Sequence, residues 1–133
     1  MLLNELTLIE AANLETHFNQ NGLQAGQGSF EIDYGSLSIE AGGSLIADTS
    51  KSVLVVHAEP KAFGKRENHE SVEFSLSIKM RLIFAYPASY EIDENFVKEN
   101  SWFFSSQMKI FFKQYAESIL RQSGIDGMKL PMN

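Results

Sequence analysis

Three kinds of side chain in this sequence could do acid–base, metal or nucleophilic chemistry: histidines, a carboxylate cluster and serines. The histidines are His17, His57 and His69. They lie far apart and form no HxH or HExxH motif, so surface or turn positions explain them better than a metal site or a general base. No GxSxG or SxxK motif surrounds any serine, so the sequence offers no recognisable nucleophile.

The carboxylates Glu91, Asp93 and Glu94 are the remaining candidates for chemistry. They could form an acid–base pair or bind a metal ion in an enzyme of unassigned reaction. A simpler explanation is that they precede a predicted helix, because negative charge stabilises the positive end of a helix. The sequence therefore predicts a protein that is not an enzyme and that needs no cofactor and no metal ion.

Composition sets the class of protein. The chain has 133 residues, 44% of them hydrophobic, which predicts one globular domain over residues 1–133. Its net charge of -6 makes nucleic acid an unexpected partner. No apolar segment approaches the ~20 residues of a membrane span. There is no cysteine, and Glu5 and Glu10 interrupt the N-terminal apolar residues, unlike a signal peptide, so a soluble, cytoplasmic protein is predicted.

The strongest strand signal lies in residues 71–86, SVEFSLSIKMRLIFAY, where every second residue from Val72 to Tyr86 is apolar. Another long strand is predicted at residues 44–59, with its densest apolar run from Val53 to Val56. Residues 60–70 are polar and are predicted to connect the two strands. Together the three segments predict an antiparallel hairpin.

Weaker strand signals precede this hairpin. Residues 29–39 predict a strand with a kink at Gly35, and Gly42 with Gly43 predicts the turn after it. The first twenty residues fit either a helix or an edge strand, and we favour the strand. Residues 19–29 are rich in Gly, Gln and Asn and predict a loop.

After Pro87 the pattern becomes helical. Apolar residues recur at the spacing of one amphipathic helix face: Met108, Phe111, Phe112, Tyr115, Ala116, Ile119 and Leu120. Ser105 or Ser106 is predicted to cap its start, Gly124 to follow its end, and Asp93 to cap a shorter helix before it. The predicted fold class is α+β, a four-stranded antiparallel sheet with C-terminal helices packed on one face.

Two features predict an apolar surface that its own helix does not cover. The strand from Val72 to Tyr86 would extend about 50 Å, whereas the helix from Gln107 to Ser123 would extend only about 25 Å. Either the strand bends sharply, or part of its apolar face meets another copy of the chain or a client. In addition, Trp102, Phe103 and Phe104 are consecutive on a helix, so at least one ring is predicted to be exposed or in an interface.

This arrangement resembles the SecB-like export chaperones. The resemblance runs from about Phe30 to Pro131 and rests on the strand FSLSIKMRLIFAY, the aromatic-rich helix and the closing segment SGIDGMKLP. The matching positions are Ile83, Phe84, Gly124, Met128, Leu130 and Pro131. It implies an ATP-independent holdase that binds non-native polypeptide. It also implies a homotetramer, a dimer of dimers with long helices between the sheets.

The resemblance further implies which residues bind clients and which join subunits. Those implied in polypeptide binding are Phe74, Leu76, Ile78 and Met80, with Trp102 and Phe103 beside them. The first four fit the inner face of a buried strand equally well. Those implied at the oligomer interface are Met108, Phe111, Phe112 and Tyr115.

The sequence differs from SecB at the positions that bind SecA, and two alternative functions remain open. SecB presents acidic and apolar residues to the translocase ATPase SecA where this chain has Ser75 and Ser77, so SecA is not an expected partner. A dedicated client, such as the antitoxin of a toxin–antitoxin system, suits the chain as well as general export does. A different class is a helix-grip protein, whose curved sheet wraps the helix from Met108 to Leu120 around a cavity for a small apolar ligand.

Overall fold

A computed structural model describes residues 3–20, 28–45, 47–66 and 72–124. Within these residues six strands and two helices follow a short 3-10 turn at Leu3–Glu5. The strands are β1 (Thr7–Gln20), β2 (Gly28–Asp33), β3 (Ser38–Ser44), β4 (Lys51–Ala58), β5 (Lys61–Arg66) and β6 (Val72–Pro87). The helices are α1 (Glu94–Glu99) and α2 (Ser101–Gln122). Neither helix is both long and apolar enough to cross a membrane.

The six strands form one antiparallel sheet with four rows. Strand β6 lies inside the sheet, and β1 pairs along one side of it. On its other side β4 and β5 lie end to end, and β3 and β2 pair with them to complete the outer row. The α+β prediction is confirmed, but the sheet has six strands rather than four, because the rows β2/β3 and β4/β5 each consist of two strands and β5 lies in the segment predicted as a connection.

Gly35 and Pro60 divide these two rows. Between β2 and β3, Gly35 has a φ of 65°, and its N–H donates to Asp33 Oδ1 at 3.0 Å. This left-handed conformation bends the chain out of the strand. Between β4 and β5, Pro60 has no N–H to donate, while its carbonyl accepts from the N–H of Ile78 at 3.1 Å. That bond keeps the divided row attached to β6.

The polar connection predicted at residues 60–70 is wrong, because most of its described part is β5. Among the side chains of this strand that the structure describes, those at inward positions are the small Ala62 and Gly64, both buried, and the lysines lie on the alternate positions. Since no large apolar residue marks the inner face, the segment has the composition of a loop. The predicted antiparallel pairing of residues 44–59 with β6 is confirmed for β4, and β5 also pairs with β6.

The turn predicted at Gly42 and Gly43 is also wrong. Both glycines lie inside β3, where the register shifts after Ala41 and Gly42 has a φ of 101°. They form a bulge, which glycine permits because it has no Cβ. The turn comes later and is held by Asp48, whose Oδ1 accepts from both the N–H and the hydroxyl of Ser50.

Strand β1 confirms the strand interpretation of the N-terminal residues. It pairs with β6 over its whole length, with two register shifts. Ile9 and Leu14, the extra residues at these shifts, are 45% and 44% exposed. A bulge bends an edge strand, so β1 has an irregular edge with two exposed apolar side chains. The predicted loop at residues 19–29 falls mostly outside the described residues, and its two ends belong to β1 and β2.

Helix α1 is short and capped as predicted. Asp93 Oδ1 accepts from the N–H of Phe96 at 2.8 Å. After α2, Gly124 has a φ of 87°, which confirms the predicted left-handed residue beyond the helix. Asn100 separates the two helices and is the C-cap residue of α1.

Helix α2 begins at Ser101, so the prediction that Ser105 or Ser106 caps it is wrong. The N–H of Phe103 donates to the carbonyl of Asn100 at 3.0 Å, which places the consecutive aromatic residues in the first turn. The helix therefore has 22 residues and a length of about 33 Å. It is longer than its amphipathic pattern indicates.

Every fourth residue of α2 packs on the inner face of the sheet. These fully buried residues are Phe104, Met108, Phe112, Ala116 and Leu120. The rings of Phe104 and Phe84 are 5.7 Å apart, and Leu120 packs against Phe74, so α2 runs antiparallel to β6.

The inner face of β6 is closed within one chain. Its even-numbered side chains from Phe74 to Tyr86 are at most 2% exposed. The expectation that the helix is too short to cover this face is wrong, because α2 is longer than predicted and because β1 contributes Phe18. The ring of Phe18 lies 6.2 Å from that of Phe74.

Candidate functional site

An open apolar groove lies where α2 does not cover the sheet. Because α2 follows β6, it does not fully cover the inner face of β3. That face lies beside the first turns of α1 and α2. The floor of the groove is formed by Leu37, Ile39 and Ala41. Its wall is formed by Val97 of α1 and Trp102 of α2. We call this feature the β3 groove.

The β3 groove has three contiguous compartments. The first, about 620 Å³, lies at Trp102, Ser101 and Ser105. The second, about 390 Å³, shares Ile39 with the first. The third, about 360 Å³, shares Ala41 with the second and extends to Tyr90. From Leu37 to Gly42 the floor is about 17 Å long, the length of five to six extended residues.

Trp102 is the most exposed large apolar residue among the described residues, at 62%. Its ring lies 6.1 Å from that of Phe103 in a T-shaped contact, and Phe103 lies 5.9 Å from Phe84 of β6. Phe103 is half-buried and Phe104 is fully buried. The prediction that at least one of these three rings is exposed is therefore confirmed. The exposed ring of Trp102 packs against Phe103, and Phe103 contacts Phe84 in the core.

Aromatic residues lie beyond both ends of the groove. At one end the Tyr90 hydroxyl donates to Glu5 Oε1 at 3.1 Å, and this hydrogen bond raises the pKa of Tyr90. At the other end, one turn beyond Ser105, the Lys109 ammonium lies 4.8 Å from the centre of the Tyr34 ring. Partial burial raises the pKa of Tyr34. These contacts connect the groove to the start of the chain and to the break between β2 and β3.

The polar groups of the groove include Ser101 and Ser105 in the first compartment and charged side chains in the second and third. Asp93, Glu94 and Lys98 line the second compartment. Asp93 is engaged as the cap of α1, which supports the helix-end explanation of these carboxylates. His17 lies beside Glu15 at 2.8 Å on the surface, and His57 is exposed. Among the described residues no group of three or more metal-ligating side chains comes together. The apolar side chains of the first two compartments suit contact with another apolar group.

The sequence-predicted binding residues divide between the core and the groove. Phe74, Leu76, Ile78 and Met80 lie in the core under α2 and are at most 1% exposed, so in this conformation a client cannot touch them. Trp102 lies in the groove, with Phe103 behind it. Binding of polypeptide by these six residues stays a prediction.

The predicted interface residues also divide. Met108 and Phe112 are fully buried against the sheet of their own chain. Phe111 and Tyr115 are half-buried, with ring centroids 6.3 Å apart, and partial burial raises the pKa of Tyr115. Only the second pair has surface to offer another subunit in this conformation. Their role in an oligomer stays a prediction.

The sequence-based prediction missed the groove floor and the α1 side of its wall. Leu37 and Ile39 are assigned to a strand face, but nothing local indicates that this strand is an edge without a helix above it. The available signal is weak: β3 has few large apolar residues and contains two glycines. Such a strand contributes little to a core and is a reasonable place to look for an open surface.

The outer face of β6 carries balanced charges. Arg81 forms an ion pair with Glu10 of β1, and Lys79 Nζ lies 3.9 Å from Glu15 Oε2. The half-buried Ser75 and Ser77 continue this face. Basic side chains of β6 are thus matched by acidic side chains of β1. The acidic and apolar character that SecB offers to SecA is not found at these positions.

No family model and no curated protein matches the sequence. Among solved structures, the SecB-like chaperone Rv1957 of Mycobacterium tuberculosis matches with a TM-score of 0.72 and 9% identity, over 96% of this chain and 90% of that chain. That protein was solved in complex with a ChAD peptide from the Rv1956 HigA1 antitoxin. At this identity the likeness shows the fold, and the fold of this chain is SecB-like.

Proposed function

We propose that this protein is an ATP-independent chaperone that holds non-native polypeptide segments in the β3 groove. The observation that carries the proposal is an open apolar groove with an exposed tryptophan on a SecB-like fold. A structural neighbour with this fold binds a peptide, which supports the same use here.

The chemistry of the groove supports weak, permissive binding. Trp102 offers a large apolar ring that loses little conformational entropy when it is covered, because aromatic side chains have few rotatable bonds. Val97 and Ile39 add aliphatic surface on either side. A groove whose first two compartments are mainly apolar rewards buried apolar area more than any one sequence, as a chaperone requires.

A dedicated client, such as an antitoxin, suits this protein better than general export. The neighbour's peptide derives from an antitoxin. In addition, the ion pairs of Arg81 and Lys79 balance the outer face of β6, which does not favour docking of SecA there. The chaperone acts in the cytoplasm.

Self-association as a homotetramer, a dimer of dimers, is part of the proposal. The half-buried Phe111 and Tyr115 of α2 and the exposed Ile9 and Leu14 of β1 supply apolar surface away from the groove. Covering such surface with a second copy would be favourable. Native mass spectrometry tests this part, and a monomer at all concentrations would contradict it.

Suppression of aggregation of a chemically unfolded client, measured by light scattering without ATP, tests the function. The informative variant is Trp102→Ala, with Ile110→Ala as the matched control. Ile110 is a second exposed apolar residue of α2, 36% exposed, that does not line the groove. Loss of the Trp102 ring should raise the concentration needed for half-maximal suppression about tenfold, as for interface hot spots.

The control should stay within about twofold of the wild-type chain. Equal loss in both variants would place binding elsewhere on α2. Absence of any suppression by the wild-type chain, together with a monomeric state, would overturn the proposal.

A further inference from the structure

We infer that the third compartment of the β3 groove is a separate binding site for a small organic cation, a short alkylamine. This inference goes beyond the proposed function and does not depend on it. The site lies at one end of the sheet, where the bulge of β3, the start of β4 and the end of β6 meet the connection from β6 to α1. Its lining is mainly polar, whereas that of the first two compartments is mainly apolar.

Backbone hydrogen bonds hold the connection that forms one wall of this compartment. The N–H of Ala88 donates to the carbonyl of Ser50 at 2.9 Å, and the N–H of Tyr90 donates to the carbonyl of Pro87 at 3.1 Å. The second bond closes a turn directly after β6. The compartment has a volume of about 360 Å³, which lies in the range of roughly 300–1,000 Å³ that is usual for small-molecule pockets.

The observation that points to a ligand is the hydroxyl of Tyr86. This residue is only 2% exposed, and it lines the third compartment. In the part of the chain that the structure describes, no hydrogen bond joins its hydroxyl to another residue. Among the same residues Arg81 Nε is the only enclosed side-chain polar atom without a partner, so the Tyr86 hydroxyl reaches the open space of the compartment. Buried polar groups are normally paired, and this hydroxyl is therefore available to a ligand there.

The charges of the lining favour a cation. Glu91 and Asp93 line the compartment, and among the described residues no lysine, arginine or histidine does. Asp93 Oδ1 accepts from the N–H of Phe96, but a carboxylate has acceptor capacity for several hydrogen bonds. Lys98 lines the first two compartments and not the third. An anion would be repelled by the two carboxylates.

An alkylamine fits this lining better than a metal ion does. No group of three or more metal-ligating side chains comes together in the described ranges, whereas calcium takes about six to eight oxygen ligands. An ammonium group donates three hydrogen bonds and accepts none, which matches carboxylate and hydroxyl oxygens. Ala41, Ala88 and Ile92 supply apolar surface for a short alkyl chain.

The cation is a free molecule rather than a basic side chain of a client. A segment that lies along β3 can follow it only to Ala41, because the register shifts after this residue and Gly42 has a φ of 101°. Gly42 lines the third compartment, whereas Leu37 and Ile39 line only the first two. The third compartment is thus open to a molecule that occupies neither of the others.

An NMR titration of the full chain with n-pentylammonium tests the site. The backbone amide signals of Gly42 and Ala88 should shift, with a Kd of about a millimolar for so small a ligand. n-Pentanol and pentanoate have the same carbon chain with a neutral or an anionic head. Pentanol should bind at least about tenfold more weakly, because it lacks the charge that the carboxylates attract. Pentanoate should not shift these signals.

Two variants and a matched control assign the residues. Tyr86→Phe removes the hydroxyl and keeps the ring, and it should weaken binding of pentylammonium about fivefold. Glu91→Gln removes an exposed charge and should weaken binding about threefold. Glu94→Gln is the control, because Glu94 lines the second compartment and not the third, and its Kd should stay within about 1.5-fold. Amide signals far from the site verify that each variant is folded.

Several outcomes would overturn the inference. Equal binding of pentylammonium and pentanol would mean an adventitious additive only. Equal loss in Glu91→Gln and Glu94→Gln would mean a general attraction of cations to an acidic chain. Shifts around Trp102 instead of Gly42 would place the amine in the first compartment. Tighter binding of Nα-acetyl-lysine N-methylamide than of pentylammonium would assign the compartment to client side chains. None of these results decides whether the chain suppresses aggregation, so the chaperone function is tested separately.

Discussion

Strands β6 and β3 share one face of the same sheet, yet the inner face of β6 is closed and that of β3 is open. On β6 the even-numbered side chains lie under α2, and Ile78 is fully buried. On β3, two strands away, Ile39 stays half-exposed in the groove. The difference comes from the path of α2, which follows β6 and contacts the outer row at Tyr34 but leaves β3 partly uncovered.

This contrast teaches where to look for function on such a fold. The regular alternation of large apolar residues in β6 marks a strand that the chain encloses by itself. The weaker pattern of β3, with two large apolar residues on the floor and two glycines beside them, marks a strand that contributes little to the core. Binding surface is available at β3 because its apolar side chains pack against the core but stay only partly buried.

The largest effect expected is the difference between the same substitution on the two strands. Ile78→Ala should lower the free energy of unfolding by about 4 kcal/mol, because it leaves a cavity in the closed core. Ile39→Ala should lower it by only about 1 kcal/mol, because the side chain is half-exposed. Chemical denaturation measures both values.

Client affinity should show the opposite order for these two variants. Peptide titration followed by Trp102 fluorescence should weaken about tenfold for Ile39→Ala, since it loses an apolar contact in the groove. Ile78→Ala should bind as the wild-type chain does under conditions where it stays folded. If Ile78→Ala, while folded, lost affinity more than Ile39→Ala, the inner face of β6 would be the binding surface, as the sequence-based prediction has it.

The next prediction concerns how tightly side chains pack between β5 and β6. A Cβ at Gly64 of β5 would lie 1.9 Å from the Phe74 ring, so the ring occupies the space of the missing side chain. Gly64→Ala should lower the free energy of unfolding by about 3 kcal/mol through overpacking.

The control for this prediction is the same substitution in a Phe74→Leu background. There the ring is absent and the added methyl has room, so the cost of Gly64→Ala should fall below about 1 kcal/mol. An equal cost in both backgrounds would mean that the glycine is needed for its backbone rather than for the ring.

Periodicity predicts much of this fold and fails where periodicity is weak. The alternation ending at Tyr86 predicts β6, and the amphipathic residues from Met108 onward predict most of α2. The start of α2 is misplaced because the consecutive rings at Trp102 have no amphipathic spacing. Strand β5 is missed because Ala62 and Gly64 give its inner face no large apolar residue.

The groove could be predicted only in part. Three consecutive rings predict that at least one is exposed, and the resemblance to SecB adds Trp102 to the binding candidates. Ile39 and Val97 are not identified, because their exposure depends on where α2 lies on the sheet, which is a tertiary property. The burial of Phe74 and Met80 under α2 is also a tertiary property. Local alternation indicates that a strand has an apolar face, but it does not indicate which element covers that face.

A smaller effect concerns α1, which forms part of the groove wall. Asp93→Ala removes the cap of this short helix and should lower the free energy of unfolding by about 1 kcal/mol. Val97 should then be less well positioned, so peptide affinity should fall about threefold, while the core under α2 keeps its protection in hydrogen exchange. Asp93→Asn is the control, because asparagine caps helices as well as aspartate does. Equal loss in both variants would show that the charge, and not the cap, is what matters.

The smallest effect expected is at Tyr90, where the open end of the groove is tied to Glu5 before β1. The hydrogen bond to Glu5 raises the pKa of Tyr90 above its ordinary value of 10.0. A raised folded-state pKa contributes stability that is fully present below pH 10 and is lost as the pH rises through the folded-state value. Tyr90→Phe should therefore reduce stability slightly at neutral pH and remove part of the loss above pH 10.

Absorbance titration of the tyrosinates isolates this effect from those of Tyr34 and Tyr115, whose pKa values are also raised. The difference between the wild-type and Tyr90→Phe curves gives the titration of Tyr90 alone. In a Glu5→Gln background its midpoint should move down, because the acceptor loses its charge and the phenolate is no longer repelled. A midpoint at or below 10 in the wild-type chain would mean that the contact does not hold in solution. This hydrogen bond would then not connect the β3 groove to the N-terminal turn. The difference in packing between the β3 groove and the closed inner face of β6 would be larger still.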